Sequence, residues 1–125
     1  STEGVFYAVS WHQDAKTPKN AEFVADYKKA YANADPAEDA ADAYAAAEVL
    51  AAGVTAVGAI DQAKIRDWLH ANEVPTILGP LSWEETGAPK GKFLVAQWQD
   101  GKAQVVYPAE AATSQKIVYP KPGWE

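Results

Sequence analysis

The stretch "PTILGPLSWEETGAPKGKFLVAQWQDGK", residues 75–102, decides how this chain is read. It holds no His, no Cys and no Ser–His pair, yet its turn residues are closely ordered. Gly79-Pro80 stops one element, an aromatic and acidic turn follows at Trp83-Glu84-Glu85, and residues 87–91 lead into a strand. Asp100-Gly101 between two β-rich runs is a strong type I′ hairpin signal. The register set by that turn pairs Trp98 with Ala103, Ala96 with Val105 and Leu94 with Tyr107, all on one face. Gln97, Gln99, Lys102 and Gln104 take the other face near the turn. One face is therefore built to be covered, in a segment with much backbone design and little chemistry.

Working outward, residues 4–9 (GVFYAV) read as a short buried or half-buried strand. Thr17 is placed to cap a helix with Pro18 in its first position, where a missing N–H costs nothing. Phe23, Val24, Tyr27 and Tyr31 recur at helical spacing to about Ala32. A second helix is predicted from Asp35, with Pro36 next and Glu38 completing a capping box, to Ala52, with Gly53 ending it. Ala40, Ala43, Tyr44, Ala47, Leu50 and Ala51 mark its expected inner face, and so many alanines imply a close neighbour. Residues 54–59 read as an extension of that helix or a loop. Asp61 caps a third helix, Ile60 is placed to staple against Ile65, Trp68 and Leu69 complete the apolar face, and Asn72 ends it. Val74 opens a short extended piece, and the chain after Pro108 is only loosely patterned.

The bulk composition excludes several classes. A chain of 125 residues suffices for one domain with a modest core. Its 48% hydrophobic and 22% charged content is the balance of a soluble globular protein. A net charge of −6, with eleven scattered basic residues, argues against a nucleic-acid surface. No cysteine means no thiolate metal site, disulfide scaffold or Cys nucleophile. The longest apolar runs read as far short of a membrane span, and no signal segment opens the chain. Methionine is absent even from the first position, so a chain opening Ser1-Thr2-Glu3 is expected to be processed or cut from something longer.

The search for chemistry finds little. His12 and Asp14 in one loop do not make a metal site, and His70 at a helix C-terminus favours the dipole. Glu84 and Glu85 are adjacent on a turn and lack a nucleophile–base partner. Ser10, Ser82 and Ser114 lack a nucleophile elbow, and the glycines form no phosphate-cradling loop. Trp68 and Trp98 read as core, whereas Trp11 and Trp83 lie in turns where a ligand cleft is conceivable. No catalytic residue, metal site or cofactor is predicted.

Four segments in succession resemble the type I periplasmic solute-binding proteins of ABC importers, in their branched-chain amino acid (leucine/isoleucine/valine) branch. They are "PKNAEFVADYKKAY" (18–31), "DAYAAAEVLAAGV" (42–54), "IRDWLHANEVPTILGPLSWEETG" (65–87) and "FLVAQWQDGKAQVVYP" (93–108). The Gly79-Pro80 and Trp83-Glu84-x-x-Gly87 turn and the Gln97-x-x-Asp100-Gly101 hairpin are the most specific parts. The resemblance spans nearly all of this chain but only the C-terminal portion of such a protein.

It implies an α/β fragment of a two-lobed fold, with three helices, a hinge segment and a β-hairpin, and no enzymatic activity. Residues 1–15 would be strand and hinge loop, 16–75 the helical part of the N-terminal lobe, 76–92 a hinge crossing, and 93–125 the hairpin and tail of the other lobe. Gly79, Pro80, Gly87 and Gly91 would serve bending, with small residues absorbing the backbone change. One ligand contact comes from the start of the helix resembling residues 39–44, which maps to Asp39, Asp42 and Tyr44. Aliphatic-ligand members place a bulky apolar group early there, where this chain has Asp39 and Ala40. The implied setting is periplasmic or extracellular. The implied partners are a small-molecule ligand of the full-length protein, an ABC permease, and the rest of the polypeptide or a second copy. A ligand-sensing domain of a receptor or regulator uses the same fold, and the proline-rich residues 119–125 read as a terminus that weighs against it.

Overall fold

The computed structural model describes residues 1–91 and 93–123. Lys92, the last residue of the expected hinge crossing, and Trp124 and Glu125, the end of the proline-rich stretch, lie outside the described residues. The chain forms two compact units, Thr17–Gly91 and Ser1–Lys16 with Lys92–Glu125, so it passes twice between them.

The Thr17–Gly91 unit holds helices α1 (Asn20–Ala30), α2 (Glu38–Val57) and α3 (Gln62–Ala71). Three short strands follow, β2 (Val74–Thr76), β3 (Gly79–Trp83) and β4 (Pro89–Lys90), paired antiparallel in that order. α1 starts later than the Thr17-Pro18 signal predicts. Lys19, at φ 58, precedes it in the left-handed region, and no side chain caps it. The Thr17 hydroxyl is committed elsewhere, donating to the Ile77 carbonyl.

α2 departs from expectation at its start, in Gly53 as its terminator and in its face, while the helical reading of residues 54–59 holds as far as Val57. Ala37 stands at its N-cap without a side-chain bond, and Asp35 instead pairs with Lys28 at 2.7 Å. The helix runs through Gly53 to Val57, and Gly58, at φ 71, supplies the left-handed end. Gly53 is buried because α3 crosses there, and an added Cβ would lie 2.8 Å from Ile65 Cγ2. The buried stripe is Ala41, Ala45 and Gly53; of the expected inner face only Ala40 is even half-buried, and Leu50 is 59% exposed. In an alanine-rich helix the apolar period is nearly degenerate, so closeness of approach selects the face. By length and composition alone α2 is long and apolar enough to cross a membrane, contrary to the run-length reading.

α3 keeps its predicted ends. Asp61 accepts from Lys64 N–H at 3.1 Å, and the Asn72 side-chain amide donates to the Trp68 carbonyl at 2.7 Å. The expected staple is absent: Ile60 is 87% exposed, while Ile65 packs on Gly53. Beyond α3, Gly79-Pro80 does not stop a strand but begins β3, closing a hairpin with β2 around Ile77-Leu78. Ile77 at this tip is fully buried. Its N–H donates to Glu48 Oε2 on α2 at 2.9 Å, and its carbonyl accepts from Thr17. The Thr76 hydroxyl spans the turn, donating to the Gly79 carbonyl at 2.7 Å and accepting from Leu78 N–H at 3.1 Å. A buried loop tip is stable only when its backbone polar groups have partners, and side chains supply them here.

The other unit is a three-stranded antiparallel sheet in the order β1 (Phe6–Val9), β5 (Leu94–Gln99), β6 (Lys102–Tyr107). The β5–β6 turn is as predicted, with Asp100 at φ 53 and Gly101 at φ 75. Trp98 faces Ala103 and Ala96 faces Val105, but Tyr107 faces Val95 and not Leu94, because a bulge intervenes between Val95 and Ala96. Val9, Trp11, Ala96 and Val105 are buried, and Tyr7 stacks on Trp98 with ring centres 6.4 Å apart.

The glutamine face is buried as well, with Gln97 fully and Gln99 95% removed from solvent. The tail beyond Pro108 straps across it. Gln97 Nε2 donates to the Gly4 and Val118 carbonyls at 3.0 and 2.9 Å, and Gln97 Oε1 accepts from Val118 N–H at 2.9 Å. Gln99 Nε2 donates to the Lys116 carbonyl at 2.6 Å, and Gln99 Oε1 accepts from the Ser114 hydroxyl at 2.8 Å. Among the described residues no buried side-chain nitrogen or oxygen lacks a partner.

Candidate functional site

Asp39, Asp42 and Tyr44 all fall in the first two turns of α2. Asp39 and Asp42 are three residues apart and share one exposed flank. With Glu38 and Asp39 in its first turn, α2 has negative charge where the helix dipole favours it. Tyr44 lies on a different flank, beside α1, so the three do not converge on one point.

Tyr44 belongs instead to a run of rings. It lies 4.8 Å from Phe23 at 47°, Phe23 lies 6.0 Å from Tyr27, and Tyr27 lies 4.4 Å from Tyr31. The run exists because residues 23, 27 and 31 are one helical turn apart and Tyr44 meets them from α2. Together with Asp26 and the small Ala40 and Ala43, these rings line an open cleft of about 600 Å³. Phe23 is buried, whereas Tyr31 and Tyr44 are 60% and 43% exposed. The Lys28–Asp35 ion pair ties the end of α1 to the approach to α2, beside this cleft.

The expected hinge residues lie in different settings. Gly79 and Pro80 open β3, Gly87 (φ 85) turns the chain between β3 and β4, and Gly91 ends the Thr17–Gly91 unit. His12, which the sequence places in a loop with Asp14, has a side chain only 12% exposed. Its Nε2 lies 3.3 Å from the Ala103 carbonyl, and its Nδ1 accepts from Asp14 N–H at 3.2 Å. Trp11, conceivable as a cleft residue, is core. Trp83 is half-buried beside a depression shared with His70, Glu84 and Lys90. Among the described residues no group of three or more His, Asp or Glu could hold a metal ion. Sequence reasoning passed over Glu48 and gave Thr17, Gln97 and Gln99 other places; all four act through side-chain bonds to distant backbone, which leave no periodic signal.

Residues 1–103 match the family model described as periplasmic binding protein. The chain belongs to that family. It is 45% identical over 56 residues to the Leu/Ile/Val-binding protein of Escherichia coli (strain K12), a match covering 44% of this chain and 15% of that protein. It is 28% identical over 104 residues to Leu/Ile/Val-binding protein homolog 7 of Brucella melitensis biotype 1, covering 79% of this chain and 26% of that protein. Two solved structures share the fold. The leucine-binding protein LivK from Thermotoga maritima MSB8 superposes with a TM-score of 0.68 at 24% identity, over 83% of this chain and 30% of that one. A solute-binding protein of an R. palustris ABC transporter, in complex with benzoate, gives 0.71 at 22%, over 94% and 33%.

The chain thus spans between 15% and 33% of the length of these relatives. Its fold of helices and two small sheets matches a fragment of the type I periplasmic binding protein architecture, as the resemblance implied. These relatives are solute-binding proteins, not enzymes.

Proposed function

We propose that this chain is one part of an exported protein that captures an amino acid or related small solute for an ABC permease. The observation that carries the reading is the family match over residues 1–103. The solute would sit between two lobes, with the start of α2 contributing one wall through Asp39, Asp42 and Tyr44. Half a cleft lacks its opposing wall, so the chain alone has an incomplete site. Apolar side chains left exposed, such as Leu50 and Phe93 at 59% and 70%, fit cover by the rest of the polypeptide or a second copy.

Closure would draw on the two passages between the units, one at Lys16–Thr17 and one beyond Gly91. Gly91 has open space around its Cβ position, and as a glycine it would absorb part of the backbone change. Gly79, Pro80 and Gly87 would act beside that bend, with the pinned Ile77 tip bracing it. Ligand binding would shift a pre-existing open–closed equilibrium toward the form that the permease reads. Small-angle X-ray scattering of the full-length protein tests closure. A smaller radius of gyration with saturating solute supports it, and an unchanged radius on demonstrated binding removes it.

A further inference from the structure

The cleft between α1 and α2 has features that residue patterning alone did not suggest. Its floor is a continuous run of four aromatic rings, with neighbouring centres 4.4 to 6.0 Å apart. Its α2 wall carries the small Ala40 and Ala43, and of the rings Tyr31 and Tyr44 are exposed, Tyr27 is half-buried and Phe23 is buried beneath them. Among the described residues no hydrogen bond or ion pair engages Asp26, the one carboxylate on its lining. The surrounding segment is acidic too. Residues 20–44 carry six Asp and Glu against two Lys, a net −4 out of −6 for the whole chain. Lys28, one of the two, is already paired with Asp35.

Aromatic faces present negative quadrupole charge, and a carboxylate at the rim adds to it. An anion is repelled here and a neutral apolar molecule gains only contact area. A cation with apolar substituents gains both terms. The volume of about 600 Å³ suits a small organic ion, not a bare metal. We infer that the Phe23–Tyr27–Tyr31–Tyr44 cleft binds small organic cations of the alkylammonium class, with Asp26 as counter-ion. Tyr44 is shared with the proposed solute site, so the inference deepens that reading and names a ligand chemistry for its α1 side.

The test is calorimetric titration of the full-length protein with choline and, in parallel, with its neutral carbon isostere dimethylbutanol. Choline is expected to bind and the isostere to bind at least about fivefold more weakly. Tyr27→Phe keeps the ring face and retains choline affinity, whereas Tyr27→Leu and Asp26→Asn weaken it several-fold with unchanged circular dichroism. Equal binding of the two probes, no choline binding, or full affinity in Tyr27→Leu overturns the inference. A separate amino-acid titration of the same samples distinguishes the two readings. Amino-acid binding without choline binding sinks only the cation site, and silence toward both sinks the amino-acid reading of the solute site as well.

Discussion

Gln97 and Val118 pair as two strands would, through a side chain: Gln97 Nε2 donates to the Val118 carbonyl and Val118 N–H donates to Gln97 Oε1, each at 2.9 Å. The primary amide imitates a peptide group, so a tail with no strand of its own is docked on a sheet face.

Replacing Gln97 with Leu keeps the volume and removes both arms. The Gly4 and Val118 groups then lose their partners in a buried setting, and the loss is expected to be on the order of 3 kcal/mol. Urea denaturation of the full-length protein followed by tryptophan fluorescence measures it.

Gln97→Glu adds a pH dependence. Burial raises the folded-state pKa of the new carboxyl above its unfolded value of about 4.3. The neutral acid, which can still donate one bond, is the tolerated form. Relative to wild type, the variant should be closest in stability below about pH 4 and fall behind as the pH rises through the folded-state pKa. A denaturation midpoint gap that narrows toward neutral pH would contradict this.

Gly53→Ala is a conflict between propensity and packing. In a free helix the change gains about 1 kcal/mol. Here the new Cβ meets Ile65 Cγ2 at 2.8 Å, and overpacking at about 1–3 kcal/mol outweighs it. Ile65→Leu moves the branch away from Cβ, so the double variant should recover most of the loss in thermal unfolding.

The Ile77 tip is held by two side chains, and their loss is expected to differ in kind. Thr17→Val keeps the shape and removes one donor, at about 1 kcal/mol. Glu48→Ala strands a buried N–H and removes a charged acceptor, at about 2 kcal/mol, whereas Glu48→Gln retains an acceptor and recovers most of it. Hydrogen exchange at the Ile77 amide reports the difference directly.

What was legible in the sequence is what local chemistry dictates. Asp100-Gly101 reads correctly because two successive positive φ values demand those residue types, and Asp61 reads correctly because a cap bonds only three residues away. The misread parts depend on partners distant in sequence. Asp35 looks like a cap until Lys28 is placed beside it, and Gly53 looks like a terminator until Ile65 arrives. Gln97 and Gln99 read only as the face opposite the covered one until residues 114–118 bond to them. For the candidate site, the sequence put Tyr44 with Asp39 and Asp42. The fold puts its ring with Phe23, because residue 44 turns to a different flank of α2.

The most direct test of solute capture is isothermal titration of the full-length protein against amino acids, small carboxylates and amides in turn. The account predicts saturable one-to-one binding of one of these classes, weakened by Tyr44→Ala. A folded protein that takes up none of them would contradict it.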